Sequence, residues 1–91
     1  MDEHPLAELE LRLNDARMQI APGSRWQHYK GGQYVIIDLV IIERTSEMGV
    51  MYRSLERPTV TFMRPLIEWQ DVVEHEGMKV FRFRSLAPSQ A

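Results

Sequence analysis

Between Gln33 and Ile42 the chain runs QYVIIDLVII, ten residues with a single charge. With the two-residue period of an extended chain, Val35, Ile37, Leu39 and Ile41 point one way, and Tyr34, Ile36, Val40 and Ile42 the other. Both faces are apolar. A strand in a one-sided sheet alternates with polar residues, so this run predicts a strand covered on both sides. A chain of 91 residues has little to cover it with, because a domain of this size buries only about 60 to 65% of its unfolded surface and supports one core.

The nearest cover lies upstream. Pro5 suits a first helical turn, acids gather near it, and Leu6, Leu9, Leu13, Ala16 and Ile20 recur at spacings of three and four. This predicts an amphipathic helix over 5–19, stopped by Ala21-Pro22-Gly23, with its apolar stripe laid on the outer face of the strand. A homodimer burying the same surface is the alternative.

From Arg25 onward the period falls to two, with β-branched and aromatic residues between turn signals. Strands are predicted at 25–29, 33–43, 48–55, 59–64 and 78–84. Gly31-Gly32, Thr45-Ser46, Arg57-Pro58 and Glu76-Gly77 mark the hairpins, and PLIEWQDVV after the fourth strand reads as one helical turn followed by an extended entry. The expected fold is α+β, mostly β: an N-terminal helix packed on a small five-stranded antiparallel SH3-like β-barrel. Its parts would be a helix and linker over 1–22, the barrel over 23–86 and a flexible tail over 87–91.

Several chemistries find no support in these residues. There is no cysteine, and His4, His28 and His75 sit on separate segments without metal-ligand spacing, so no metal is expected. Gly31-Gly32 is too short for a phosphate loop and leads into a strand, and no serine sits in a nucleophile elbow. No cofactor is expected. The longest apolar run falls far short of the roughly 20 residues of a membrane span, and a cytoplasmic location is the expectation. The net charge of −2 hides an asymmetry: Asp2, Glu3, Glu8 and Glu10 precede any lysine or arginine, leaving the remainder slightly basic, with arginine the dominant base.

Chemistry concentrates at the strand ends. His28, Lys30, Arg64 and Arg82 would converge if the first hairpin, the end of the fourth strand and the last strand meet at one rim. Arginine forks and a lysine point charge suit a phosphate or carboxylate, and Trp26 and Tyr52 would add aromatic walls. The plainer reading pairs Arg64 and Arg82 with Glu47, Glu68 or Asp71. Asp38 is either a general base of raised pKa or, more simply, a carboxylate at a bulge or rim paired with an arginine.

The segments WQHYKGGQYVII, MYRSL, FMRPL and FRF, in that order, resemble the bacterial DUF1653 family. The resemblance spans about 23–86 and places the family pattern on His28, Lys30, Gly31, Tyr34, Tyr52, Arg64, Pro65, Arg82 and Phe83. Trp69 stands where the family commonly has phenylalanine, and the second hairpin, ERTSE, lacks the family's histidine. The resemblance implies a compact β-rich fold and a bacterial setting, with no established activity. The leading functional expectation is a non-catalytic module that takes an anionic ligand, a peptide or a nucleic acid in its rim. The alternatives are an enzyme on a small anionic metabolite, using Asp38 or His28 as proton carrier, and an interaction protein that associates through its apolar strand face.

Overall fold

The computed structural model describes residues 5–87; the first four residues and 88–91, most of the expected tail, lie outside the described residues. The leucine spacing produces its helix, α1 (Leu6–Gln19), which ends at the Ala21-Pro22-Gly23 stop with Gly23 at φ 86°. Leu9, Ala16 and Ile20 are buried and Leu13 packs beside them, whereas Leu6 is exposed. The buried stripe therefore begins at Leu9.

Seven strands follow, β1 (Arg25–His28), β2 (Gln33–Ile42), β3 (Glu47–Ser54), β4 (Thr61–Pro65), β5 (Val72–His75), β6 (Met78–Phe81) and β7 (Phe83–Leu86), with a single turn, α2 (Leu66–Trp69), between β4 and β5. Five form an antiparallel sheet in the order β4-β3-β2-β1-β7, and β5 and β6 form a separate hairpin. The turns fall at the glycine and polar signals: Gly31 takes φ 111° and Ser46 φ 61° in four-residue connections, and Glu76 and Gly77, the two-residue loop between β5 and β6, both have positive φ, which such a loop requires.

Two expectations are corrected. The strand anticipated over 78–84 is broken at Arg82, whose N–H donates to the Asp71 carbonyl and whose carbonyl accepts the Tyr29 N–H. The chain there crosses from the hairpin to the main sheet. As for the expected barrel, no closed one is found: β4 and β7 are the two ends of the sheet order, and no pairing joins them among the described residues. What stands is an α+β, mostly β domain.

The second correction concerns the faces of β2. Its register on β3 jumps from Ile36↔Tyr52 to Asp38↔Met51, so Ile37 is the extra residue of a β-bulge. Beyond it the alternation is inverted, and Ile36 and Leu39, which strict alternation separates, share one face and are both fully buried. The helix lies on that same face: Leu9, Ala16 and Ile20 join Ile36, Leu39, Met48 and Val50 in one cluster. It covers the core face, not a second, outer one. On the reverse face a side chain at Gly49 would meet Met63 Sδ at 3.0 Å, Ile42 Cγ1 at 3.1 Å and Val40 Cγ2 at 3.2 Å, so glycine there lets these apolar chains close over the strand.

Asp38 sits at the bulge and is held by Arg17, with Nε to Oδ1 at 3.1 Å and Nη2 to Oδ2 at 3.3 Å; Oδ1 also accepts the Leu39 N–H at 2.7 Å. The carboxyl pKa is lowered, first by the Arg17 hydrogen bond and further by the Leu39 N–H, against the opposing effect of desolvation. The paired-carboxylate reading of Asp38 is therefore the one observed. Ile20→Ala should cost about 2–5 kcal/mol in urea unfolding, and Leu6→Ala should stay within about 0.5 kcal/mol. Equal costs would mean that the helix does not pack as described.

Candidate functional site

Residues directly opposite in an antiparallel ladder share a face. His28 is opposite Phe83, Trp26 opposite both Tyr34 and Ser85, Tyr52 opposite both Ile36 and Phe62, and Arg64 opposite Val50. The core face of the sheet therefore carries a band of aromatic residues ending in one histidine and one arginine. Trp69 of α2 lies flat on Phe83 with centroids 3.7 Å apart at an interplanar angle of 2°. His28 meets Phe83 edge-on at 5.0 Å, and Tyr52 meets Trp69 edge-on at 4.8 Å and stacks on Phe62 at 5.5 Å. The guanidinium carbon of Arg64 lies 5.8 Å from the Phe83 ring centre, within cation–π range.

His28, Tyr34, Tyr52, Phe62, Arg64 and Phe83 enclose a cavity of about 200 Å³. Two further cations stand near it. Lys30 is exposed, with its ammonium 5.7 Å from the Tyr29 ring centre, and Arg82 occupies the crossing between β6 and β7. The His28 pKa is lowered, chiefly by burial and then by the positive charges of Arg82, Lys30 and Arg64. Its Nδ1 accepts the Lys30 main-chain N–H at 3.1 Å, which leaves Nε2 to carry the proton of the neutral ring.

The arginines also have acidic neighbours, as the plainer reading anticipated. Arg64 Nη1 lies 3.4 Å from Glu68 Oε1 and Arg82 Nη2 lies 3.7 Å from Asp71 Oδ2. Both contacts are long, and both acids are about half exposed; such pairs contribute about 0–1 kcal/mol. The Nε of each arginine is buried with no hydrogen-bond partner among the described residues.

Of the six residues singled out in the sequence, His28, Tyr52 and Arg64 line the cavity, and Lys30 and Arg82 stand outside its wall but act on His28. Trp26 does not join them. Its indole N–H is bonded to Ser24 Oγ at 2.9 Å, and its ring borders a different cavity, with Ile20 and Phe81. Tyr34, Phe62 and Phe83 complete the walls of the cavity at His28; Tyr34 and Phe83 are positions that the family resemblance marked, without assigning them to a pocket. Facing positions on neighbouring strands were the signal for them, and using it requires the register. Asp38 is not part of the site: His28 donates its N–H to the Gly32 carbonyl, and Asp38 stands six residues further along the same chain, roughly 20 Å away in an extended strand. The two candidate proton carriers therefore do not stand at one site. Among the described residues no group of three or more histidines and acids is placed to hold a metal, and no helix is long and apolar enough to cross a membrane.

Fold and site together define a class: α+β domains in which one face of an open antiparallel sheet bears an aromatic pocket ringed by cations. Within it the chain belongs to the DUF1653 family, described as protein of unknown function, whose model matches residues 24–85. A crystal structure of a DUF1653 protein from Bordetella bronchiseptica is similar, with 28% identity, a TM-score of 0.62, and coverage of 72% of this chain and 87% of that one. No curated protein matches the chain.

Because His28 is harder to protonate in the folded state than an ordinary histidine of pKa 6.5, its contribution to stability is complete above that value. It is lost as pH falls through the lowered folded value. Titration followed by NMR should place the His28 pKa below 6.5, and Arg82→Gln or Lys30→Gln should move it upward. No upward movement in either variant would show that these cations do not face the ring.

Proposed function

We propose that this protein is a non-catalytic binding module that takes the phosphate or carboxylate of a small ligand between Arg64, Arg82 and His28, with the ligand's planar part against Tyr52, Phe62 and Phe83. The observation that carries the reading is the unspent hydrogen-bonding capacity of the two arginines. A guanidinium presents a planar fork of N–H donors. Of those on Arg64 and Arg82, one is hydrogen-bonded within the described residues, Nη1 of Arg64 to Glu68.

Arg64 and Arg82 are only 31% and 25% exposed in their side chains, and leaving a buried donor without an acceptor costs roughly 1–3 kcal/mol. An anion with two or three acceptor oxygens offsets that cost, and the weak contacts to Glu68 and Asp71 yield to it with little loss. The cavity volume suits one anionic group with a small ring better than the spaced phosphates of a nucleic acid, whose affinity comes from many separated contacts.

The test is a titration of inorganic phosphate, phenyl phosphate and benzoate into isotope-labelled protein, following His28 by NMR. Binding should be saturable, should raise the His28 pKa by placing negative charge beside it, and should weaken as salt rises. Arg64→Gln and Arg82→Gln should each reduce affinity by about ten- to a hundredfold, the worth of a hydrogen bond between charged groups. Phenyl phosphate should exceed inorganic phosphate if the aromatic wall contributes. An unsaturable response, or affinity unchanged in both variants, would refute the assignment.

A further inference from the structure

A larger cavity, of about 510 Å³, lies at the opposite edge of the sheet from β4. Ile20, Trp26, Trp69 and Phe81 give it an apolar wall, and three consecutive residues of β7, Phe83, Arg84 and Ser85, border it. Neighbouring residues of a strand point to opposite faces, so a cavity touching three in succession sits against the long edge of that strand. Among the described residues this edge has no strand beside it: β7 ends the sheet order, and β6 pairs with β5 alone.

The ladder fixes which main-chain groups face the cavity. The Tyr29 N–H is bonded to the Arg82 carbonyl, and β1 and β7 continue in antiparallel register through Gln27↔Arg84 and Arg25↔Leu86. Bonded and non-bonded pairs alternate, so Arg84 and Leu86 turn their main-chain groups toward β1, while Phe83 and Ser85 turn theirs outward. No other main-chain bond engages Phe83 or Ser85 among the described residues. Two outward donor–acceptor sets two residues apart, about 6.8 Å in a strand, repeat at the spacing of another strand and not at that of a compact small molecule.

We propose that the outer edge of β7 is a strand-addition site for an extended peptide segment of a partner protein. The segment pairs with the main-chain groups of Phe83 and Ser85 and sets one bulky apolar side chain among Ile20, Trp26, Trp69 and Phe81. The volume lies within the roughly 300–1,000 Å³ of pockets that bind specifically, enough for such a side chain and the backbone that carries it. Phe81 is 64% exposed, an apolar wall with a free surface. Arg84 is exposed, with Nη2 held by Gln27 Oε1 at 2.6 Å, and favours an acidic residue next to the apolar one. This is the β-augmentation mode, in which main-chain bonds supply affinity and a side-chain pocket supplies selection.

The experiment selects linear peptides from a phage-displayed library on the full chain and measures the enriched peptides, made synthetically, by fluorescence anisotropy. Expected are alternating sequences with one large apolar residue and a neighbouring acid. Ser85→Pro removes an outward N–H and no ladder bond, a change that edge strands tolerate; it should lower affinity by about tenfold with an unchanged melting temperature. Phe81→Ala should also weaken binding, Arg64→Gln should not, and amide exchange at Phe83 and Ser85 of the unmodified protein should slow in the complex. Exchange at those two amides that is unaffected by a bound peptide, or the absence of any saturable peptide, would overturn the proposal, and the exchange result decides even if Ser85→Pro fails to fold.

Discussion

The single extra residue in β2 is the constraint on which the rest of the structure depends. Without the bulge at Ile37, the run from Gln33 to Ile42 offers each face only part of an apolar surface, and one short helix cannot serve both. With it, Tyr34, Ile36, Leu39 and Ile41 fall on one side, and a single helix completes a single core. Bulges carry a local break in the ladder and need support. Here Arg17 supplies it, spanning from the last turn of α1 to both oxygens of Asp38. The one charge in the apolar strand is thus the point where helix and sheet are fastened together. Its partner sits in the last helical turn, where a cation also complements the helix dipole.

The same register determines what the sheet can present at its other end. Tyr52 stands on the core face because Ile36, just before the bulge, stands there, and Phe62 follows from Tyr52 across the next ladder. The stacked Trp69 and Phe83 then form the boundary between buried core and cationic pocket. Burial on one side and three positive charges on the other press His28 in the same direction, toward neutrality. A neutral ring keeps its Nδ1 as the acceptor for Lys30 N–H, so the hairpin geometry and the charge state of the pocket depend on each other.

Local chemistry was legible in the sequence, and relations between strands were not. Pro5, the leucine spacing and the Ala21-Pro22-Gly23 stop located α1; glycine, proline and small polar residues located the hairpins; the ordered motifs from Trp26 to Phe83 indicated the family that the comparison then showed. The bulge escaped because QYVIIDLVII is apolar at every position but two, and inverting the alternation of such a run leaves no trace in its pattern. The break at Arg82 escaped for a related reason: MKVFRFRSL looks like one strand, and only the Asp71 and Tyr29 main-chain groups, distant in sequence, pull Arg82 out of it. Trp26 was grouped with the cations because its indole keeps a polar atom that needs a partner, but that partner is Ser24 Oγ and the ring borders the other cavity beside Ser85.

The placement of the two arginines argues for a designed deficit in the pocket. Both acids near them come from the short stretch after β4: Glu68 lies in α2 and Asp71 just beyond it. The backbone of that stretch is anchored by Trp69, which is 1% exposed and stacked on Phe83, and it carries both carboxylates beside the arginines. They remain at 3.4 and 3.7 Å, beyond the roughly 2.7–2.9 Å of a strong charge-assisted hydrogen bond. The acids moderate the positive charge there without saturating the guanidinium donors. On the binding reading proposed above, an anion from solution completes those hydrogen bonds at the shorter distance that the two carboxylates do not reach.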